Sequence, residues 1–377
     1  MVKRHVDSLG VDVSLLGFGC MRLPLIDNKP GQIDYPQAQK MIDRAFEMGV
    51  NYFDTAWPYH EKQSEVFVGE ALSKYPRDRY FLASKMPTWE TFASPREDME
   101  KLFSEQLKKC RVDYFDFYLV HSLDTEHLEN CRKYQMYEFL KEKKDEGKIR
   151  RLGFSFHANS ELLEEIVTSY TWDFAQIQLN YLDWELLNAR GLYEYLTREG
   201  LPVIVMEPVR GGALATLNDT AANLLKKANP QGSISSWAIR FAASLPNVMT
   251  VLSGMSTQEQ VEDNLKTLSD FKPLDDGEYR VISEAVTAYR ASGTIPCTGC
   301  RYCIDCPQGV AIPRIFSQYN LYQVEKNKGR FANNYRSLLE REKAHNCVTC
   351  GLCMTHCPQQ IKIPDLLKDI AAFAAAV

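Results

Sequence analysis

Arg79-Tyr-Phe-Leu-Ala-Ser84, Pro95-Arg-Glu-Asp-Met-Glu-Lys-Leu-Phe-Ser-Glu-Gln-Leu-Lys-Lys-Cys110 and Phe115-Asp-Phe-Tyr-Leu-Val120 follow one another along the chain. The outer two are apolar runs of strand length. The middle one carries Met99, Leu102, Phe103, Leu107 and Cys110 at helical spacing. Strand, helix and strand in that order form a parallel βαβ unit. Working outward, similar apolar runs fall at about 16–20, 51–54, 150–155, 174–179, 203–207 and 248–252, giving eight in all. Helical segments such as Pro36–Met48, Tyr134–Glu146 and Thr257–Leu268 separate them. Eight such units match a closed (β/α)8 TIM barrel, whose usual length is about 250 residues. An open doubly wound sheet is the alternative; against it, no G-x-G-x-x-G follows the first strand. Arg4–Ser8 and Val11–Leu15 flank Leu9-Gly10 and read as an N-terminal hairpin. A last helix is expected over Asp275–Ala291, and Ser292-Gly293-Thr-Ile-Pro296 reads as a joint. The expected domains are therefore residues 1–291 and 292–377.

Eight of the eleven cysteines lie beyond that joint. They read Cys297-x2-Cys300-x2-Cys303-x2-Cys306-Pro307 and Cys347-x2-Cys350-x2-Cys353-x3-Cys357-Pro358. Thiolates at x2 spacing closed by Cys-Pro are the ligand arrangement of cubane iron–sulfur clusters. Both runs continue alike, Pro-Gln-Gly-Val-Ala-Ile-Pro313 against Pro-Gln-Gln-Ile-Lys-Ile-Pro364, so one unit is written twice. Zinc takes only four ligands, usually as two separated pairs, and disulfides are rare in cytosolic proteins. The tail is thus expected to hold two [4Fe-4S] clusters. Ile312–Val324 and Phe331–Glu342 carry apolar residues at helical spacing, predicting a small, mainly helical dicluster ferredoxin-like domain. Two-cluster ferredoxins send the fourth cysteine of each run to the other cluster. Carried over, Cys297, Cys300, Cys303 and Cys357 would hold one cube, and Cys347, Cys350, Cys353 and Cys306 the other. Cys306 comes one residue earlier than the usual x3 spacing.

An apolar fraction of 45 % and a charged fraction of 25 % are those of a globular protein. A net charge of −5 speaks against nucleic acid or an anionic membrane as principal partner. No 18-residue apolar stretch and no apolar core after Met1-Val-Lys-Arg4 are present, so neither a membrane span nor a signal peptide is expected. The cytoplasm is the expected location. Cys20, Cys110 and Cys131 are read as packing residues.

In a barrel of this kind, catalytic groups stand at the C-terminal ends of the strands. Asn51-Tyr-Phe-Asp-Thr-Ala-Trp-Pro-Tyr59 ends its strand on Asp54, Phe81-Leu-Ala-Ser-Lys85 on Lys85, and Tyr118-Leu-Val-His121 on His121. Adjacent strands lie about 4.8 Å apart, so these groups and Tyr59 can meet at one point. A carbonyl oxygen gaining a hydride needs a proton donor there. A free tyrosine has a pKa near ~10; a neighbouring Lys85 ammonium would lower it, Asp54 would hold the lysine, and His121 would orient the carbonyl. Taken singly, a histidine after a strand is ordinarily a core hydrogen-bonder, and an aspartate there a turn former. The combination at these positions points to chemistry.

On these residues the sequence resembles the aldo-keto reductase family, whose Asp-Tyr-Lys-His tetrad falls on Asp54, Tyr59, Lys85 and His121. With its tail it resembles the bacterial and archaeal members fused to a ferredoxin-type domain. The resemblance implies a nicotinamide cofactor, with Ser155 and Gln176 at the carboxamide and Asn264 at the adenine. Barrels often bind phosphate in the loops after strands seven and eight, here Pro208, Val209, Arg210, Gly211 and Gly212, and Ser253-Gly254-Met-Ser-Thr257. The second precedes a helix N-terminus, a natural anion site. Against the family pattern, Phe156 replaces an asparagine and Met206 the ring that stacks on the nicotinamide. Gly254 and Gln260 stand where many members carry Lys and Arg for the 2′-phosphate of NADP. The expected cofactor is NAD(H) or NADP(H), with the balance towards NAD(H).

Two functional classes follow. One is a nicotinamide-dependent oxidoreductase acting on a small-molecule carbonyl substrate. The other is an electron-transfer or redox-sensing protein whose barrel binds nucleotide without robust carbonyl chemistry. The complete tetrad favours the first. Hydride moves two electrons and a cubane one, so the clusters would serve a redox partner protein, a substrate that accepts single electrons, or the fold. Trp57, Trp89 and Phe92 lie in loops on the catalytic face, where they would line a substrate pocket or pack the loops.

Overall fold

The computed structural model of the chain describes residues 1–89 and 95–377. Two strands, β1 (Lys3–Val6) and β2 (Val11–Ser14), pair antiparallel as the N-terminal hairpin. Eight more close into an all-parallel barrel: β3 (Leu16–Gly19), β4 (Tyr52–Asp54), β5 (Phe81–Met86), β6 (Phe115–Leu123), β7 (Ile149–Phe156), β8 (Phe174–Gln178), β9 (Val203–Met206) and β10 (Val248–Gly254). They pair in chain order, and β10 closes on β3. Strands sheathed on both faces need apolar residues throughout, which is why the runs are continuous and not alternating. Val6, Val11 and Val13 join one apolar cluster with Tyr52, Phe117, Phe174 and Met249, so the hairpin packs against the barrel interior.

The intervening helices are α1 (Tyr35–Glu47), α2 (Ser64–Leu72), α3 (Arg96–Cys110), α4 (Thr125–Lys133), α5 (Met136–Asp145), α6 (Ser160–Ser169), α7 (Asp183–Leu186), α8 (Ala189–Arg198), α9 (Asp219–Ala228), α10 (Ile234–Ala243) and α11 (Gln258–Ser269). α12 (Asp276–Arg290) starts on a capping box between Asp275 and Glu278. Gly69 lets α2 close on α3, since a Cβ there would stand 2.2 Å from the Lys109 carbonyl oxygen.

The chain folds as two compact units, Met1–Pro208 with Ala238–Leu274, and Val209–Trp237 with Asp275–Val377. The first holds the closed barrel. In the second, α9 lies against α12, with Asn218 Nδ2 donating to the Ala288 carbonyl at 2.9 Å. Its core gathers Ile295, Ile315, Phe316, Phe331, Ile363 and Leu367, and six of the tail cysteines pack on it. The helices there are α13 (Ile312–Glu325), α14 (Lys328–Arg336), α15 (Leu352–Thr355) and α16 (Ile363–Ala375). The two copies of Ile-Pro in the repeat each open a helix, α13 and α16, with proline in the first turn, where its missing N–H costs nothing. The helix expected over Phe331–Glu342 stops at Arg336 instead. Leu339 is extended, and a short 3-10 turn over Glu340–Glu342 follows.

Candidate active site and cluster ligands

Asp54 closes β4, and Lys85 is the next-to-last residue of β5. His121 lies within β6, two residues before its end, at a register shift where Ser122 takes a left-handed φ of 58°. The structure brings all three together with Tyr59. Lys85 is 0 % exposed, and its Nζ donates to Asp54 Oδ1 and to the Thr55 carbonyl, both at 2.7 Å. That Nζ stands 5.0 Å from the centre of the Tyr59 ring, which meets the His121 ring edge-on at 6.0 Å. Burial pushes the Asp54 carboxyl above its ordinary range, against the pull of the Lys85 ammonium. Burial, then the positive charge of Lys85 and the neighbouring His157 and His127, hold His121 well below the usual imidazole range. His121 is therefore a neutral ring in neutral solution. Trp89 lies perpendicular to His121 at 5.2 Å. Trp57 has Lys109 Nζ 3.8 Å and Lys62 Nζ 5.2 Å over its ring, so it packs against cations. Phe92 lies outside the described residues.

The residues expected at a nucleotide are arranged as follows. Ser155 and Gln176 are register partners on β7 and β8, both buried. Ser155 Oγ accepts the Ser122 N–H at 2.7 Å, and Gln176 Nε2 points at Met206 Sδ, 3.5 Å away. Gln176 Oε1, His121 Nδ1 and Asp54 Oδ2 have no hydrogen-bond partner among the described residues. A buried polar atom left unpaired costs about 1–3 kcal/mol, and folded proteins rarely leave several together. A carboxamide N–H₂ is the group that Gln176 Oε1 would take, so these residues fit a nicotinamide. Asn264 Nδ2 donates to Ser253 Oγ at 2.9 Å. Gln260 is exposed, and its Oε1 accepts the Ser256 N–H at 2.7 Å. A Cβ on Gly254 would lie 3.2 Å from Cγ and Cδ of Arg22, whose guanidinium pairs with Glu207 at 3.3 Å. Neither Arg22 nor Glu207 was expected from the sequence; the ion pair joins the segment after β3 to the residue after β9.

The loop that follows Pro208 belongs to the second unit. Arg210, Gly211 and Gly212 all take positive φ, at 52°, 63° and 95°. Arg210 is 2 % exposed, and its Nη2 donates to Gln359 Oε1 at 3.4 Å. Gln359 comes two residues after Cys357, in the second copy of the repeat.

The tail cysteines form two groups of four. Burial and then Cys300, Cys297 and Cys357 push the Cys303 thiol far up. Burial and then Cys347, Cys306 and Cys350 push Cys353 up to about 11. Each group therefore contains three cysteines of one run and the last of the other. Cys303, Cys306, Cys347, Cys350 and Cys353 also line a cavity with Pro307, His356 and Leu367. Four thiolates cannot stay ionised side by side unless a cationic centre binds them. No group of three or more His, Cys, Asp or Glu among the described residues is placed to hold a single metal ion. Cys20, Cys110 and Cys131 are buried with thiols pushed up by burial, Cys131 to about 12, and are packing residues.

Residues 15–287 match the aldo/keto reductase family, and residues 296–361 match the 4Fe-4S dicluster domain. The chain belongs to the aldo/keto reductase family. It is an oxidoreductase of that family with a ferredoxin-type domain following the barrel in the chain. Among curated relatives it is 25 % identical to L-galactose dehydrogenase of Arabidopsis thaliana, across 72 % of this chain and 89 % of that one. It is 24 % identical to the NADH-specific methylglyoxal reductase of Escherichia coli, across 71 % and 94 %. Among solved structures, the holo form of an aldo-keto reductase from Bacillus halodurans superposes with a TM-score of 0.63 at 25 % identity, over 76 % of this chain and 96 % of that one. An aldo-keto reductase from Klebsiella pneumoniae in complex with NADPH gives 0.59 at 21 %, over 77 % and 96 %. No helix among the described residues is long and apolar enough to cross a membrane.

Proposed function

We propose that this enzyme reduces a small-molecule carbonyl in the cytoplasm and carries two [4Fe-4S] clusters. The observation that carries the reading is the fully buried Lys85, clamped by Asp54 and Thr55 and facing Tyr59. With a reduced nicotinamide dinucleotide bound, its hydride would reduce the carbonyl carbon. Tyr59 gives its hydroxyl proton to the carbonyl oxygen, and the Lys85 ammonium favours the phenolate that forms. Asp54 holds the ammonium in place. His121, neutral, offers a hydrogen bond to the carbonyl without competing for its proton. Gln176 and Ser155 would hold the nicotinamide carboxamide, with Met206 beside the ring, Asn264 the adenine, and the loops Pro208–Gly212 and Ser253–Thr257 the phosphates. The direct test is an anaerobic screen of aldehydes, ketones and quinones with NADH and NADPH, in which carbonyl-dependent oxidation of the cofactor is expected.

The absence of a basic pair at Gly254 and Gln260 supports a preference for NAD(H). Arg210, buried against Gln359, and Arg22, paired with Glu207, are both already engaged. NADH is therefore expected to bind at least as tightly as NADPH. Gly254→Lys would drive a side chain into Arg22, so Gln260→Arg is the cleaner change. It is expected to strengthen NADPH binding by one charge-assisted contact, about 1.5–3 kcal/mol. Titration of both nucleotides against both proteins measures it; a wild type that strongly prefers NADPH would place the 2′-phosphate on another cation, Arg22 first.

The two cysteine groups support two cubanes. Anaerobically purified protein is expected to contain about eight irons and eight acid-labile sulfides per chain. Four irons would mean one vacant group, and zinc without sulfide would end the assignment. Cys350→Ser is expected to lose one cluster and loosen the tail, because metal binding and folding are coupled in such modules. Six of the cysteines pack on the module's apolar core, which supports a part for the clusters in the fold as well as in electron transfer.

A further inference from the structure

Glu65 is a buried charge that the chemistry above leaves unused. It stands in the first turn of α2 at 0 % exposure. Burying a carboxylate costs several kcal/mol unless its surroundings compensate. One oxygen accepts from Ser84 Oγ and from Gln106 Nε2, each at 2.6 Å. The other has no hydrogen-bond partner among the described residues. Burial raises this carboxyl above its ordinary range; the hydrogen bonds of Ser84 and Gln106, then the charges of Lys109 and Lys85, pull it back.

Both of its partners lead to Lys85. Ser84 precedes the lysine in β5. Gln106 Nε2 donates to the Lys85 carbonyl at 3.0 Å, and its Oε1 accepts the Tyr118 hydroxyl, which fixes the orientation of the amide. The preceding residue of α2 closes the other side. Ser64 Oγ accepts from Thr55 Oγ1 at 2.9 Å and donates to the Cys20 carbonyl at 3.1 Å. Thr55 is the residue whose carbonyl anchors Lys85 Nζ. One helical turn therefore grips the lysine's backbone through Glu65 and the anchor of its amine through Ser64. The same turn follows Tyr59 after three left-handed residues, His60, Glu61 and Lys62.

The geometry points to Glu65 as a positioning residue that, through Ser84 and Gln106, sets where the Lys85 ammonium stands against Tyr59. This rests on the proposed tetrad chemistry. In the holoenzyme, Glu65→Ala is expected to lower kcat for carbonyl reduction about 10- to 100-fold, the scale on which a misplacement of about 1 Å acts. The nucleotide dissociation constant should stay within about twofold, since no atom of the network is among the residues proposed to bind the nucleotide. The pH at which alcohol oxidation rises should move upward, because the ammonium no longer stands where it favours the phenolate. Glu65→Gln should recover activity to within about threefold, as its amide oxygen accepts the same two hydrogen bonds. Gln106→Met cuts the link to the Lys85 carbonyl and should reproduce the loss and the pH shift, which covers the case of a Glu65→Ala that does not fold. Wild-type kcat and pH dependence in Glu65→Ala or Gln106→Met overturns the proposal, as does a Glu65→Gln no better than Glu65→Ala. Tyr59→Phe measured alongside separates the two readings: retained turnover there removes the tetrad chemistry itself.

Discussion

Tyr59→Phe is expected to lower carbonyl reduction about 10²–10⁴-fold, on the order of 3–5 kcal/mol, while nicotinamide binding stays nearly intact. The hydroxyl is the only group removed. The ring keeps its edge contact with His121 and its place beside Lys85. The loss should therefore appear in kcat, as it does when an interaction made only in the transition state is removed. Lys85→Met is expected to be comparably damaging for a different reason. It removes the ammonium that favours the phenolate and leaves Asp54 buried without its partner. Because Asp54 is raised by burial and restrained by that ammonium, losing the cation should push its carboxyl further up. The lysine variant should therefore lose stability as well as turnover, and the tyrosine variant turnover alone. Steady-state kinetics, a nucleotide titration and a thermal melt on both proteins check this. Wild-type turnover in Tyr59→Phe at neutral pH would assign the proton to another group.

The barrel was legible because a strand enclosed on both faces must be apolar from end to end, and a catalytic strand must break that rule at its last residues. Asp54 and Lys85 do so where the pairing stops or nearly stops. His121 does so two residues early, since the irregularity at Ser122 has no local sequence signal. The ferredoxin-type domain was legible because iron–sulfur ligation imposes its own spacing. The shorter α14 and the extra α16 were not expected, although the repeated Ile-Pro marked the start of α16. Contacts between residues distant in the chain leave no periodicity to read. Arg22 with Glu207, Glu65 with Gln106 and Arg210 with Gln359 are of that kind. They are also the contacts that surround the proposed tetrad and nucleotide loop, so the reacting groups were readable while most of their supports were not.

Removal of the tail tests the last of these contacts. A chain ending after Ala291 keeps all eight barrel strands, the tetrad and α12, against which α9 packs. It loses Gln359, one acceptor of the buried Arg210. From the sequence alone, nucleotide binding was expected to survive such a cut if the tail were an appendage for electron transfer. The structure changes that expectation, because the loop Val209–Gly212 is folded with the cluster module. Leaving a buried donor without its partner costs about 1–3 kcal/mol. If the loop takes the pyrophosphate, affinity for the nucleotide should fall by a similar amount, roughly 5- to 150-fold at 1.4 kcal/mol per tenfold. Hydride transfer to an artificial carbonyl should persist at saturating nucleotide, since the truncated chain keeps every residue of the proposed tetrad. Full-length Gln359→Ala separates the causes: it should reproduce the weaker binding with iron and sulfide content unchanged. A truncated protein that binds as tightly as the full chain would show that the Arg210–Gln359 contact does not organise the loop. A folded truncation that binds nucleotide but does not turn over would place the clusters in the reaction itself.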